Sequence, residues 1–134
     1  MNLSADEKKA LINLKIERAN ETIREVPYLI EQGFFRTAVN RLYYSCYYIV
    51  SALLLNKGYT AHSHKGIITL FAMNFVKSGI VPHEDGQLYR SLFELRQTGD
   101  YDESKTIDKE DATSRLQPAK RFIAEIERLI SNDF

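Results

Sequence analysis

Arg41, Tyr44, Ser45 and Tyr48 stand at offsets of zero, three, four and seven, so a helix running through them would gather all four on one face. Arg41 and Tyr48 would then differ by about 20° around the axis and about 10 Å along it. A guanidinium offers a planar fork of donors to phosphate. A phenol offers a ring on which a base can stack and a hydroxyl that donates, accepts or becomes modified. The seam therefore reads as a nucleotide- or RNA-contacting face made of Arg41, Tyr44, Ser45 and Tyr48. A plainer reading stands beside it. Tyr43, Tyr44, Tyr47 and Tyr48 would be packing or interface aromatics with wetted hydroxyls, and Arg41 would pair with a carboxylate of a neighbouring helix. Aromatic spacing alone favours the plainer one.

Other reactive groups are sparse. His62 and His64 lie two apart in a loop, with His83 in a later turn. Fewer than three ligands are arranged together, so no metal site is assigned. The lone Cys46 reads as a small buried filler and excludes an internal disulfide framework or a Cys-rich zinc site. There is no phosphate-binding glycine loop, no His-Glu-x-x-His helix, no calcium loop and no serine-nucleophile elbow. No cofactor is called for.

The elements that must position these groups all carry helical periodicity. Ser4, with Glu7 three residues on, predicts a capping box and a first helix over 4–32, kinked at Pro27 and ended at Gly33. A second, nearly all-apolar helix over 35–56, ended by Lys57-Gly58, is expected to lie centrally. A third is marked from Ile67 to near Gly79 and a fourth over 84–97, closing at Gly99. Residues 100–106 read as an exposed loop. Asp108 with Asp111 then opens a fifth helix, with Pro118 bending it early. Alternating strand patterns, hairpin turns and repeats are absent. The expectation is an all-α, antiparallel bundle of about five helices, with the first and fifth packed beside the second.

The whole chain, 134 residues, suits a single domain over 1–134. An apolar share of 44% with 15 aromatic residues (8 Tyr, 7 Phe) is enough to fill a core. Charge is balanced at 18 basic against 18 acidic side chains, so a nucleic acid meets no strong overall attraction and DNA is not expected as a ligand. A local basic cleft remains open. The start of the chain lacks the hydrophobic run of a secretory signal, and the stretch from Leu42 to Leu55 falls short of the roughly 20 apolar residues of a membrane span. The cytoplasm is the expected location.

The stretch from Ala38 to Leu55 (AVNRLYYSCYYIVSALLL), followed by Lys57-Gly58, His64-Lys-Gly66 and Arg96-Gln-Thr-Gly-Asp-Tyr101, resembles the HEPN family of small bacterial and archaeal helical proteins. These blocks fall in order over nearly the whole chain. The resemblance implies a bundle of the nucleotidyltransferase substrate-binding-subunit kind, a homodimer with its motif helices near a shared cleft, and toxin or ribonuclease activity beside a minimal nucleotidyltransferase. The family motif is Arg, four to six residues, then His. Arg41 matches the Arg, but Cys46, Tyr47 and Tyr48 stand where the His would be. Without an imidazole, deprotonation of a ribose hydroxyl loses its natural agent, since an ordinary phenol titrates near about 10. In a related toxin form, Arg, four residues, His, one residue, Tyr, Cys46 replaces the His and Tyr48 matches a tyrosine that a partner nucleotidyltransferase can adenylylate. Arg96 with Asp100 and Tyr101 resembles a second family block, in which the Arg points into the bundle and the Asp-Tyr pair closes the following loop. The resemblance makes Arg96, Asp100 and Tyr101 ligand-binding candidates; a loop residue and a packing lid are the plainer roles for the Asp-Tyr pair.

Three functions follow. The leading one is a binding or regulatory module, toxin-antitoxin-like and partnered by a minimal nucleotidyltransferase, with Arg41 and Tyr48 contacting a nucleotide, RNA or partner protein. The second is a divergent metal-independent ribonuclease that uses Arg41 and Tyr48 as catalytic residues, or a histidine from elsewhere such as His64 as the base. The third is a purely structural dimerisation domain.

Overall fold

The computed structural model describes residues 3–101 and 106–132, with side chains throughout except at 99–101. Helix α1 spans Ala5–Arg24. Its first turn is closed reciprocally: Ser4 Oγ accepts from the Glu7 N–H at 3.1 Å, and Glu7 Oε1 accepts from the Ser4 N–H at 3.0 Å. The expected helix over 4–32 is divided. Glu25 caps α1, and a one-and-a-half-turn helix α2 follows over Val26–Glu31 with Pro27 in its first turn. Pro27 has no N–H for an i→i−4 bond, and its ring crowds the preceding turn, so a fresh start at this point is cheaper than a continuous helix. Gly33, at φ 81°, reverses the chain where a side chain would be strained.

Helix α3 covers Phe35–Asn56, with the bounds expected from its apolar pattern. It is buried over most of its circumference: Val39, Leu42, Cys46, Ile49, Val50 and Leu53 are all fully covered. Each such side chain contributes about 1.5–3 kcal/mol by leaving water. Helix α1 packs against it, as do two later helices, His83–Tyr101 and Lys109–Ser131.

Helix α4 spans His64–Phe71. It starts directly after Ser63, whose Oγ accepts from the Gly66 N–H at 2.9 Å and caps the first turn. It runs on into one wider, π-helical turn over Ala72–Val76, where the Lys77 N–H reaches the Ala72 carbonyl at 2.8 Å. This segment lies against α5, His83–Tyr101. There, an added Cβ at Gly86 would sit 3.0 Å from both methyls of Val76. The expected close of this helix at Gly99 and loop from residue 100 need correction, since the backbone stays helical to Tyr101. Glycine lowers helix propensity without forbidding the conformation.

Helix α6 covers Lys109–Ser131, opened by a reciprocal Asp108–Asp111 box at 2.9 and 3.0 Å. Pro118 lies inside it without ending it. The result is an all-helical bundle. Among the described residues no helix is long and apolar enough to cross a membrane.

Candidate functional site

Three elements converge on one side of α3: α3 itself, the start of α4 and the far half of α5. At the centre is Tyr43, fully buried, with rings on several sides. Tyr44 meets it edge-on at 5.0 Å, Tyr89 stacks at 6.0 Å and His64 stacks at 5.7 Å. The Tyr43 hydroxyl and His64 Nδ1 share a 2.6 Å hydrogen bond. Burial pushes the Tyr43 phenol well above its ordinary range, so it keeps its proton. His64 is lowered from its usual value, first by burial and then by the nearby Arg96 guanidinium. The pair is thus a neutral phenol and a neutral imidazole. With the phenol donating to Nδ1, Nε2 carries the ring proton. His64 is also stacked on Tyr47 at 4.6 Å, which fixes its plane.

Two guanidinium groups lie close to the Tyr44 ring. Arg41 lies over its ring at 5.4 Å and Arg96 at 5.7 Å, while Arg96 is also 4.9 Å from the centre of the Tyr43 ring. Both arrangements are within cation–π range. Arg41 donates from Nε and Nη2 to Asn40 Oδ1 at 3.2 and 2.9 Å. Among the described residues its partners are this neutral amide and an aromatic ring, not the carboxylate of the plainer reading.

The seam read from spacing is distributed as follows. Arg41, Tyr44 and Tyr48 are half-buried, and Tyr48 joins the cluster through Tyr44 at 6.2 Å and Tyr47 at 5.8 Å. Ser45 does not face it: the residue is fully buried and its hydroxyl donates to the Leu42 carbonyl at 2.8 Å. Arg96 is inside the cluster. The side chains of Asp100 and Tyr101, the rest of that expected block, lie outside the described residues. Cys46 is sealed in the core, where burial pushes its thiol far up; it cannot supply a thiolate. His62 and His83 are exposed.

Sequence spacing missed three members. Spacing reads Tyr43 and Tyr47 as packing residues and His64 as a loop residue or a substitute base. Their association depends on a hydrogen bond across 21 positions, which no helical period reports. Apart from the cluster, Asp85 on α5 is pushed up to about 7, first by burial and then by the carboxyl of Glu125 on α6.

The arrangement is a helical bundle with an arginine- and tyrosine-lined face and an adjoining imidazole. The chain belongs to the HEPN family: the HEPN domain model matches residues 12–129. It is 38% identical over 127 residues to a Thermotoga maritima protein named "UPF0332 protein", covering 95% of this chain and 96% of that one. Two Methanocaldococcus jannaschii proteins are also similar. "Putative toxin MJ0142" is 34% identical over 108 residues, 81% of this chain and 74% of the relative. "Putative toxin MJ0605" is 31% identical over 119 residues, 89% and 88% respectively.

Proposed function

We propose that this chain is a toxin-like HEPN module, a single cytosolic domain over 1–134, that holds single-stranded RNA at the Arg41–Tyr44–Arg96 cluster. One observation carries the reading: two guanidinium groups, from α3 and α5, lie 5.4 and 5.7 Å from the same tyrosine ring. Such a ring can stack a base while the cations meet the flanking phosphates. The toxin names of two relatives support the class. The family resemblance supports a homodimer and control by a minimal nucleotidyltransferase partner, with Tyr48 as the acceptor of a transferred nucleotidyl group.

The test is equilibrium binding of a short fluorescein-labelled single-stranded RNA to the wild type, Arg41→Ala and Arg96→Ala. About tenfold weaker binding in each variant is expected. Equal, weak binding by all three proteins overturns the reading and leaves a structural interaction domain. Co-expression with a minimal nucleotidyltransferase, followed by mass analysis, tests the partnership: a nucleotidyl adduct on Tyr48 supports it, and an unmodified Tyr48 overturns it.

A second reading, cleavage of the bound RNA without metal, is favoured by the His64–Tyr43 hydrogen bond. This brings an imidazole to a face whose α3 motif lacks one. His64 is lowered below its usual value, so at neutral pH its ring is neutral; in the opposite tautomer, with Nδ1–H donating to the Tyr43 oxygen, Nε2 is free to accept a proton. Cleavage in excess chelator that disappears in His64→Ala supports this reading. Absence of cleavage by wild type, or cleavage that survives in His64→Ala, removes His64 from the chemistry.

A further inference from the structure

We infer that the cavity beside Tyr47, between α1, α3 and the loop before α4, takes one nucleobase of the strand held at the arginine–tyrosine face. The inference rests on the RNA reading above for the identity of the ligand, and on independent geometry for the site. The cavity measures about 320 Å³, at the lower end of small-molecule sites. Its walls include Leu11, Leu54 and Ile67, with the Tyr47 and Tyr59 rings beside them. These are surfaces against which a flat heterocycle packs well.

Two polar groups are placed there. Ser51 is 7% exposed, and its Oγ is buried without a hydrogen-bond partner. A serine inside a helix ordinarily bonds back to a carbonyl of the preceding turn, as Ser45 does with Leu42. Ser51 lines the cavity with its hydroxyl tucked beneath the surface, and a rotation about χ1 would bring that hydroxyl to a base edge, which supplies both donors and acceptors for it. Lys15, from α1, lines the same cavity, and burial followed by the neighbouring Arg18 lowers its ammonium. A phosphate beside it would relieve both effects.

Helix geometry connects the cavity to the cluster. Tyr47 and Ser51 are one turn apart on α3, so they share a flank. Tyr47 lines the cavity while its ring stacks on His64 at 4.6 Å. One aromatic ring thus separates a base in the cavity from the imidazole. A strand crossing Arg41 and Arg96 would reach it by turning an unstacked base past the Tyr47 ring.

The experiment compares binding of the same labelled RNA, and of AMP and UMP, by the wild type, Ser51→Leu, Lys15→Gln and Arg96→Ala. Ser51→Leu fills the cavity with carbon and is expected to weaken RNA about tenfold; Lys15→Gln is expected to weaken it several-fold. RNA affinity unchanged in both, while Arg96→Ala still binds weakly, overturns the cavity assignment and leaves the RNA face standing. RNA affinity unchanged in all three overturns both. AMP or UMP binding that Ser51→Leu abolishes while RNA binding is untouched assigns the cavity to a free mononucleotide and overturns the strand proposal. Thermal melts accompany each variant. If Ser51→Leu fails to fold, Lys15→Gln, a change at a half-buried α1 position, decides the outcome.

Discussion

Helix α3 has two flanks that do opposite things with similar residue sizes. Measured around the axis from Arg41, Leu42, Ile49 and Leu53 fall at about 80–120° in one direction, and Tyr44, Ser51 and Tyr47 at about 60–120° in the other. The side chains of the first flank are fully covered. The second meets α4 and α5 through rings, guanidinium groups and one imidazole, with Tyr44 and Tyr47 only half-buried. Aliphatic side chains can be satisfied entirely by contact. Phenols and cations need partners at their polar ends, and where the protein supplies only some, a ligand can supply the rest.

The comparison predicts a division of effects between stability and binding. Leu42→Ala, on the covered flank, removes a large side chain from the centre of the bundle and should cost about 3 kcal/mol in chemical denaturation. A loss under about 1 kcal/mol would show that this flank is not the core. Tyr44→Ala, on the open flank, should cost about 2 kcal/mol of RNA binding energy while leaving a cooperative melt. If Tyr44→Ala instead behaves like Leu42→Ala, losing the fold, the distinction between the flanks collapses.

Two smaller effects appear in the pH dependence of stability, with opposite signs. Asp85 is raised from 3.8 to about 7 in the folded chain, so the fold binds its proton more tightly than the unfolded chain does. Stability from this group is present at low pH and falls as pH rises through about 7. Asp85→Asn should therefore raise Tm at pH 8 and leave it unchanged at pH 4. A Tm lowered at pH 8 would mean that the charged carboxylate is the form the fold prefers. His64 is lowered from 6.5, so here the unfolded chain binds the proton more tightly. Its contribution is complete above about 6.5 and is lost as pH falls below that value. In an Asp85→Asn background, His64→Gln should flatten the remaining slope between pH 5 and 7. An unchanged slope would place the imidazole in a more watery setting than its stacking on Tyr47 implies.

Local signals were readable from the sequence and non-local ones were not. The Ser4–Glu7 and Asp108–Asp111 boxes and both ends of α3 depend on residues within a few positions of each other, and each was visible as a pattern. Helix junctions were harder. Pro27 signalled a kink, but whether a helix bends or restarts depends on what its far side packs against. Gly99 resembles a helix end, yet the backbone passes through it. The site shows the same limit. Spacing found Arg41, Tyr44 and Tyr48 and centred the face between the first and last of them. Packing moves that centre toward Tyr44 and Tyr47, because Arg96 and His64 arrive on that side. Ser45 lies about 40° from Arg41 toward the core flank, and its short hydroxyl turns to its own backbone.

The contact between Gly86 and Val76 reaches further than its size suggests. Val76 ends the continuous coil that begins at His64, so the two are about 18 Å apart along one rod. At one end of this rod an added Cβ would stand 3.0 Å from both Val76 methyls, so a methyl group there requires the valine or its helix to give way slightly. A substitution at residue 86 therefore bears first on how the π-helical turn seats against α5, at the end of the rod opposite His64.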